Sequence, residues 1–246
     1  MPDVYRDLIR EQLPEKNLAE SGLELIYVFV VRMFNMLEEN FGGGDVDSYV
    51  KNLRNKVIIF GSGAWGTAIA HLVARNNADK EIVIIARNQA VIDDINNRHC
   101  NQKYLQDIIL PNNIIARQNL ENIDLVDYEF LFIATPAKEF SKIIANIAEY
   151  KIPKNLPIVI CAKGVDGYIS KFFNEIVNDL LPNNSVAIMA GPNFATEVAK
   201  RNFSTTTISS KSLESFNRLS ALINANDFRC EYFDNPISFC AAMMPM

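Results

Sequence analysis

The sequence is poor in the residues that build metal sites, disulfide scaffolds and basic nucleic-acid surfaces. Its 246 residues include 4 cysteines, which lie far apart, and only 2 histidines. Neither a disulfide framework nor a histidine-rich metal site is therefore expected, and the cysteines are predicted to be inert thiols of a cytoplasmic protein. The net charge of −5, without a Lys/Arg block, argues against nucleic acid or an anionic membrane surface as the partner.

Long apolar runs and hydrolase motifs are also missing. The longest uncharged apolar stretch covers residues 25–31, well short of the roughly 20 residues of a membrane span. We expect neither a membrane span nor a signal peptide, since no basic leader or small-residue cleavage site is present. No G-x-S-x-G elbow indicates a serine hydrolase. With 49% hydrophobic and 22% charged residues, the composition is that of a soluble globular protein with a sizeable core.

A glycine pattern in the first third of the chain carries the strongest chemical signal. Gly61, Gly63 and Gly66 fit G-x-G-x-x-G between an apolar run at residues 57–60 and an amphipathic helical pattern. The first glycine permits a tight turn, the second lets a pyrophosphate approach the backbone, and the third lets the helix pack on the strand. The N-terminus of that helix favours phosphate. This context predicts a dinucleotide site rather than a merely structural turn.

From residue 56 onward, short apolar runs alternate with helical patterns. Strands are predicted at residues 57–60, 82–86, 114–116, 130–134, 158–162, 186–190, 205–209 and 229–233. Helices are predicted at residues 64–76, 89–97, 137–149, 168–180, 194–200 and 213–223. The alternation indicates an α/β fold of the Rossmann type, with a doubly wound, mainly parallel sheet and the phosphate loop at its carboxyl edge.

Arg87 follows the second predicted strand, about 20 residues after the glycine loop. NAD-preferring sites usually have an Asp or Glu there, which binds the ribose 2′-hydroxyl, whereas an Arg accommodates a 2′-phosphate. Arg87 therefore favours NADPH over NADH. The alternative is a solvated arginine without a ligand.

Residues 1–50 have a different character from the rest of the chain. Apolar residues fall on one helical stripe between residues 23 and 41, and Gly42, Gly43 and Gly44 follow. We predict an N-terminal helical extension and a glycine linker over 1–50, and an NAD(P)-binding domain over 51–237. The stripe suits packing on a partner or on the main domain. Attachment to a membrane surface is less favoured, because the polar face is not basic.

Several motifs, in order, resemble bacterial NAD(P)-dependent glycerol-3-phosphate dehydrogenase. They occupy residues 61–68, 101–105, 110–111, 133–137, 162–164, 190–197 and 228–229. The resemblance extends from residue 55 to residue 237, and ordered motifs at this spacing are far more specific than the glycine loop alone. A different phosphosugar or hydroxyacid dehydrogenase is less favoured, because residues 190–197 follow the glycerol-phosphate pattern.

The resemblance implies reduction of dihydroxyacetone phosphate to sn-glycerol 3-phosphate, a precursor of glycerophospholipids. The cofactor contacts that it implies beyond the three loop glycines are Ala64, Trp65, Arg87, Lys163 and Ala195. The substrate contacts are Lys163, Gly191 and Asn193. Lys163 is also the catalytic candidate, because an ammonium at the end of a strand can meet a phosphate or polarise a carbonyl.

In this family a helical domain follows, carrying the lysine that donates a proton to the carbonyl. In the closest register Met244 takes that lysine's position, and residues 238–246 are expected to be a truncated stub of the domain. A thioether cannot donate a proton. Two hypotheses therefore stay open: an active dehydrogenase, and a non-catalytic NAD(P)-binding remnant or interaction module. Loss of the helical domain should expose apolar surface and favour a homo-oligomer.

Overall fold

The computed structural model describes residues 55–154, 156–162 and 171–236. The chain divides into two units, Met1–Leu53 and Arg54–Met246, and all of the described residues belong to the second. The predicted N-terminal extension (1–50) and C-terminal stub (238–246) lie outside the described residues. The domain boundaries at 50/51 and 237/238 therefore stay predictions.

Eight strands and six α-helices alternate along the described part of the chain. The strands are β1 Lys56–Phe60, β2 Glu81–Ile85, β3 Ile114–Arg117, β4 Tyr128–Ile133, β5 Ile158–Ile160, β6 Val186–Ala190, β7 Ser204–Ser210 and β8 Phe228–Phe233. The helices are α1 Ala64–Asn76, α2 Gln89–Arg98, α3 Phe140–Ala148, α4 Phe173–Leu180, α5 Ala195–Ala199 and α6 Leu213–Ile223. Each predicted strand is present to within a few residues.

Two helices begin three or more residues later than the sequence predicts. The pattern at 137–149 divides into a 3₁₀ turn, Ala137–Glu139, and α3. The helix predicted over 168–180 begins at Phe173, after Lys171 and Phe172, which are described and are not helical. Residues 163–170 lie outside the described part. Both differences fall at the N-terminus of a helix, where patterns fix boundaries poorly.

The strands form one sheet in the order β3-β2-β1-β4-β5-β6-β7-β8. All neighbours from β3 to β6 are parallel, β6 and β7 are antiparallel, and β8 is parallel to β7. The order 3-2-1-4-5-6 is that of a doubly wound dinucleotide-binding sheet. The prediction of a mainly parallel Rossmann-type sheet is confirmed. The reversal at β7 was not predicted.

Beyond the charged residues near their amino ends, the central strands are apolar because helices cover both faces of the sheet. In β1, Val57 and Ile59 belong to the core under α1, α2 and α6, whereas Ile58 and Phe60 belong to the core under α3 and α4. Residues of a strand point alternately to the two faces, so a strand buried on both sides needs apolar residues at every position. The apolar run before the glycine loop therefore follows from its place at the centre of the sheet.

The amino edge of the sheet carries ion pairs. Lys56 at the start of β1 pairs with Glu81 at the start of β2, with 3.3 Å between Nζ and Oε1. Nearby, Nζ of Lys80 lies 3.0 Å from Oε2 of Glu129, and the Asn113 amide donates a hydrogen bond to the carbonyl of Lys80. These contacts fix the edge opposite the glycine loop. No helix in the described part of the chain is long and apolar enough to cross a membrane.

Candidate functional site

The first and third glycines of the loop are required by the packing of the protein itself. Gly61 has φ +113°, and a Cβ atom there would lie 2.4 Å from the carbonyl oxygen of Ala134. A Cβ atom at Gly66 would lie 1.9 Å from the carbonyl oxygen of Gly61. Neither position can hold a side chain unless the backbone moves. Helix α1 thus packs directly on the turn that leaves β1.

Gly63 is different, because nothing in the described protein requires a glycine there. Its backbone is extended (φ −68°, ψ 178°), a conformation open to any residue, and a Cβ atom would meet nothing within 4 Å. The space beside Gly63 is therefore open, as the approach of a pyrophosphate to the backbone requires. The glycine loop therefore has room for the diphosphate of a dinucleotide.

The buried side-chain amide of Asn101 fixes the glycine loop through hydrogen bonds. The Asn101 side chain is fully buried, and its Nδ2 donates to the carbonyl of Ser62 (2.9 Å) and to the hydroxyl of Thr67 (2.8 Å). The Thr67 hydroxyl in turn donates to the Ser62 carbonyl (3.3 Å). Asn101 lies in one of the motifs that carried the family resemblance, but its part in fixing the loop was not predicted. Nothing in its local pattern points to a partner far along the chain.

The N-terminus of α1 opens from this loop. Gly63 is the N-cap residue, no side chain caps the helix, and its first turn contains no acidic residue. The first backbone N–H groups of a helix lack intrahelical partners and carry partial positive charge. A 13-residue helix with a bare N-terminus beside an open glycine is suited to bind an anion.

A cavity of about 910 Å³ lies above the loop at the carboxyl edge of the sheet. Of the predicted site residues, those that line it are Gly61, Gly63, Ala64, Trp65, Arg87, Gly191 and Asn193. Gly66 lies beneath the loop. Ala195 is not in the lining, and packs with Trp65 against the cluster formed by Ala68, Leu105 and Ala199. Lys163 lies outside the described residues, but Ala162, which precedes it, lines the cavity.

Polar residues that sequence reasoning did not single out also line the cavity. They are Asn88, Tyr104, Gln118, Asn119, Asn146 and Tyr150. Gln118 and Asn119 directly follow β3, so the rule that ligands bind at the carboxyl ends of parallel strands could have found them. Asn88 stands next to Arg87 after β2, so the same rule could have found it. The others follow α2 or lie at the end of α3, where their sequence positions give no such signal.

The described lining is short of groups that can exchange a proton near neutral pH. It contains no Lys, Asp, Glu or His side chain. The Cys161 thiol is buried, and loss of solvation raises its pKa far above the ordinary value. Arg87 is the charged side chain in this part of the lining, and its guanidinium offers hydrogen-bond donors and no acceptor. The described lining thus supplies no Lys, Asp, Glu or His as a general acid.

Arg87 forms an ion pair at the mouth of the cavity. Its Nη1 lies 2.5 Å from Oε2 of Glu139. Arg87 follows β2, whereas Glu139 ends the 3₁₀ turn after β4, so the pair joins two neighbouring connections at the carboxyl edge. The Arg87 side chain is 76% exposed and that of Glu139 is 28% exposed. The guanidinium is therefore still accessible to a ligand.

Asn193 lies at the other end of the cavity, in the turn after β6. Its Nδ2 donates to the carbonyl of Thr205 (2.7 Å). Its Oδ1 is buried, has no hydrogen-bond partner among the described residues, and would be 2.7 Å from a Cβ at Gly191. The side chain therefore joins the start of β7 to the end of β6.

An open glycine loop and an uncapped helix at the carboxyl edge of a 3-2-1-4-5-6 sheet define a Rossmann-type dinucleotide-binding domain. The family model described as "NAD-dependent glycerol-3-phosphate dehydrogenase N-terminus" matches residues 56–216. The chain belongs to this family, and the predicted resemblance is confirmed.

Similar proteins with curated names match over the same region. The glycerol-3-phosphate dehydrogenase [NAD(P)+] of Orientia tsutsugamushi is 45% identical over 145 residues, which cover 59% of this chain and 43% of that protein. The enzyme of the same name from Neorickettsia sennetsu is 33% identical over 175 residues, covering 71% of this chain and 51% of that protein. The chain thus spans about half the length of the curated relatives it matches.

Solved structures share the fold. A glycerol-3-phosphate dehydrogenase from Plasmodium falciparum superposes with a TM-score of 0.73 at 27% identity, covering 80% of this chain and 57% of that one. The glycerol-3-phosphate dehydrogenase from Coxiella burnetii gives a TM-score of 0.71 at 23% identity, covering 78% of this chain and 57% of that one. The second likeness shows the fold alone.

Proposed function

We propose that this chain binds NAD(P) in the cavity and forms the cofactor half of an enzyme that reduces dihydroxyacetone phosphate to sn-glycerol 3-phosphate. The observation that carries the proposal is the open space at Gly63, because the protein's own packing gives no reason for a glycine there. The diphosphate would lie against this residue and the uncapped N-terminus of α1. The product would serve the synthesis of glycerophospholipids.

On the cofactor side, Gly61, Gly63, Ala64 and Trp65 would form the bed of the dinucleotide. Gly66 would act indirectly, by letting α1 approach the loop. Arg87 would meet a 2′-phosphate and so favour NADPH. The part of Ala195 would be to support Trp65 through their shared apolar cluster.

On the substrate side, Lys163, Gly191 and Asn193 would bind dihydroxyacetone phosphate beside the nicotinamide, which supplies the hydride when bound. Gly191 and Asn193 line that end of the cavity. An ammonium group at Lys163, next to the lining residue Ala162, would polarise the carbonyl or bind the phosphate. The described lining offers no Lys, Asp, Glu or His for this task.

The second candidate is an NAD(P)-binding module that does not turn over. It is favoured by the same lack of a proton-exchanging side chain among the described lining residues. In the enzymes that the chain resembles, the proton donor belongs to the following helical domain. Binding of the cofactor is common to both candidates, and turnover separates them.

The test is to titrate the purified chain with NADPH and then to follow NADPH oxidation with dihydroxyacetone phosphate. Binding with turnover supports the dehydrogenase, and a Lys163→Ala variant should then lose turnover and bind NADPH more weakly. Binding without turnover supports the module and refutes the dehydrogenase for this chain. If neither NADPH nor NADH binds, both candidates are wrong.

We further propose that the protein acts in the cytoplasm and self-associates. Cys100, Cys161 and Cys230 are free thiols, which suits a reducing compartment. Phe194 and Phe203 are 67% and 62% exposed, and exposed aromatic side chains favour association. Light scattering of the purified chain across a concentration series would test this, and a monomer throughout would contradict it.

A further inference from the structure

The ion pair between Arg87 and Glu139 brings two opposite charges to the place where the two nicotinamide cofactors differ. NADPH carries a phosphate on the adenosine ribose, where NADH carries a hydroxyl. In a Rossmann-type site this position lies beside the carboxyl end of β2, and here Arg87 stands two residues after that end. The carboxylate of Glu139 lies 2.5 Å from its guanidinium.

Each member of the pair suits a different cofactor. The Arg87 guanidinium attracts a 2′-phosphate, whose charge is close to −2 at neutral pH. A carboxylate repels that phosphate but accepts a hydrogen bond from a 2′-hydroxyl, which is the task of the acid usually found after β2. Here the acid comes from the connection after β4. Discrimination at the 2′ position is therefore divided between two elements.

The residue next to Arg87 does not take over the part of the acid. The Asn88 side chain is the N-cap of α2, and its Oδ1 accepts a hydrogen bond from the backbone N–H of Ala90 at 3.0 Å. The described lining of the cavity contains no Asp or Glu. Glu139 is not itself a lining residue, but its Oε2 lies 2.5 Å from Nη1 of the lining residue Arg87, so its carboxylate is the one that the geometry brings next to the 2′ position.

We propose that Glu139 is a specificity-determining residue: its carboxylate accepts a hydrogen bond from the 2′-hydroxyl of NADH and repels the 2′-phosphate of NADPH. The inference rests on the proposed binding of NAD(P). The guanidinium alone would favour NADPH strongly, and its partner reduces that preference, so that the chain binds both cofactors. The exposure of Arg87 leaves it free to turn toward a phosphate when NADPH is present.

The test measures the dissociation constants of NADPH and NADH by calorimetry for the parent chain and for three variants. Glu139→Gln should shift the ratio of the two constants about three- to tenfold toward NADPH, as expected for removal of one partly screened charge near a phosphate. Arg87→Ala should weaken NADPH about tenfold and leave NADH nearly unchanged. Glu81→Gln, which removes one charge and one ion pair at the amino edge of the sheet, should leave the ratio as in the parent.

The outcomes separate this inference from the proposed function. A parent chain that binds neither cofactor refutes the proposed function. If the parent binds both and Glu139→Gln leaves the ratio unchanged, the inference is wrong and the function stands. An equal loss of both affinities in Glu139→Gln would also overturn it, since that is the effect expected of a purely structural ion pair.

Discussion

The buried amide of Asn101 donates a hydrogen bond to the hydroxyl of Thr67, 2.8 Å away, and so joins the segment after α2 to the first turn of α1. The same amide nitrogen donates to the carbonyl of Ser62 inside the glycine loop. One side chain thus fixes both the loop and the start of the helix that would face the phosphates. Its loss should affect binding as well as stability.

Replacement of Asn101 by Ala should lower the free energy of unfolding by about 2 kcal/mol, because the Ser62 carbonyl and Thr67 hydroxyl lose a buried partner. The affinity for NADPH should fall as well, since the loop is no longer held. Asn113→Ala is the matched control. That amide donates to the carbonyls of Ala74, Asn77 and Lys80 at the opposite edge of the sheet. Its loss should therefore destabilise the fold and leave the affinity for NADPH as in the parent chain. Urea unfolding and calorimetry measure both effects, and equal losses of affinity in the two variants would contradict the assignment.

Alanine at the glycines of the loop should separate structural from binding roles. Gly66→Ala should cost about 3 kcal/mol or more of stability, because the new methyl group would overlap the Gly61 carbonyl. Gly63→Ala should change stability by less than about 1 kcal/mol, since space and backbone both allow it. It should nevertheless weaken NADPH at least tenfold, and Gly63→Trp should abolish binding. A Gly63→Trp chain that binds NADPH like the parent would refute the site.

Trp65 should report cofactor binding directly. It is the one tryptophan of the 246-residue sequence, and it lines the cavity beside Gly63. NADPH should quench its emission in a saturable titration, with transfer to nicotinamide fluorescence if the ring binds nearby. Trp65→Phe should remove the signal while calorimetry still detects binding. A saturable heat of binding in the parent without any change in tryptophan emission would place the ligand elsewhere.

His71 should make the protein sensitive to mild acid. Burial, together with the charges of Arg75 and Arg201, lowers its pKa from 6.5 to about 4, although Asp227 opposes the shift. The unfolded chain therefore binds more protons between pH 6.5 and pH 4, and stability should fall over that window by about 3 kcal/mol. Above pH 6.5 this contribution is fully present.

The measurement is the free energy of unfolding in urea at pH 7.5 and pH 4.5 for the parent and for His71→Gln. The variant should lose less stability between the two pH values, whatever its stability at pH 7.5. An identical drop in both proteins would show that His71 does not titrate as its surroundings predict.

Strands β1 to β6 could be predicted because a parallel sheet covered on both faces needs largely apolar runs. The glycine loop could be predicted because its three glycines have separate physical tasks. The direction of β7 could not, since neither an apolar run nor the polar sequence of Ser204–Ser210 encodes which way a strand points. Local sequence predicts the type of a secondary-structure element better than the direction in which a strand runs.

The sequence predicted the glycine loop of the site but not the side-chain contacts that hold the site residues in place. The positions of Arg87 and Gly191 follow from the ends of β2 and β6, which the pattern locates. The partner of Arg87 could not be found in the same way, because Glu139 reaches it from another connection and only the strand order β2-β1-β4 brings the two together. The link from Asn101 to Ser62 likewise depends on tertiary packing.

The reversal at β7 determines where the polypeptide heads after the sheet. Because β8 runs parallel to β7, and β7 opposite to β6, β8 travels away from the rim that holds the open loop. Any downstream segment whose side chains were to reach a small molecule beside Asn193 would first have to double back. A downstream segment that completed an active centre would therefore have to return to the carboxyl edge by a path outside the eight strands. Its contacts with the substrate would come from a structural element separate from the sheet.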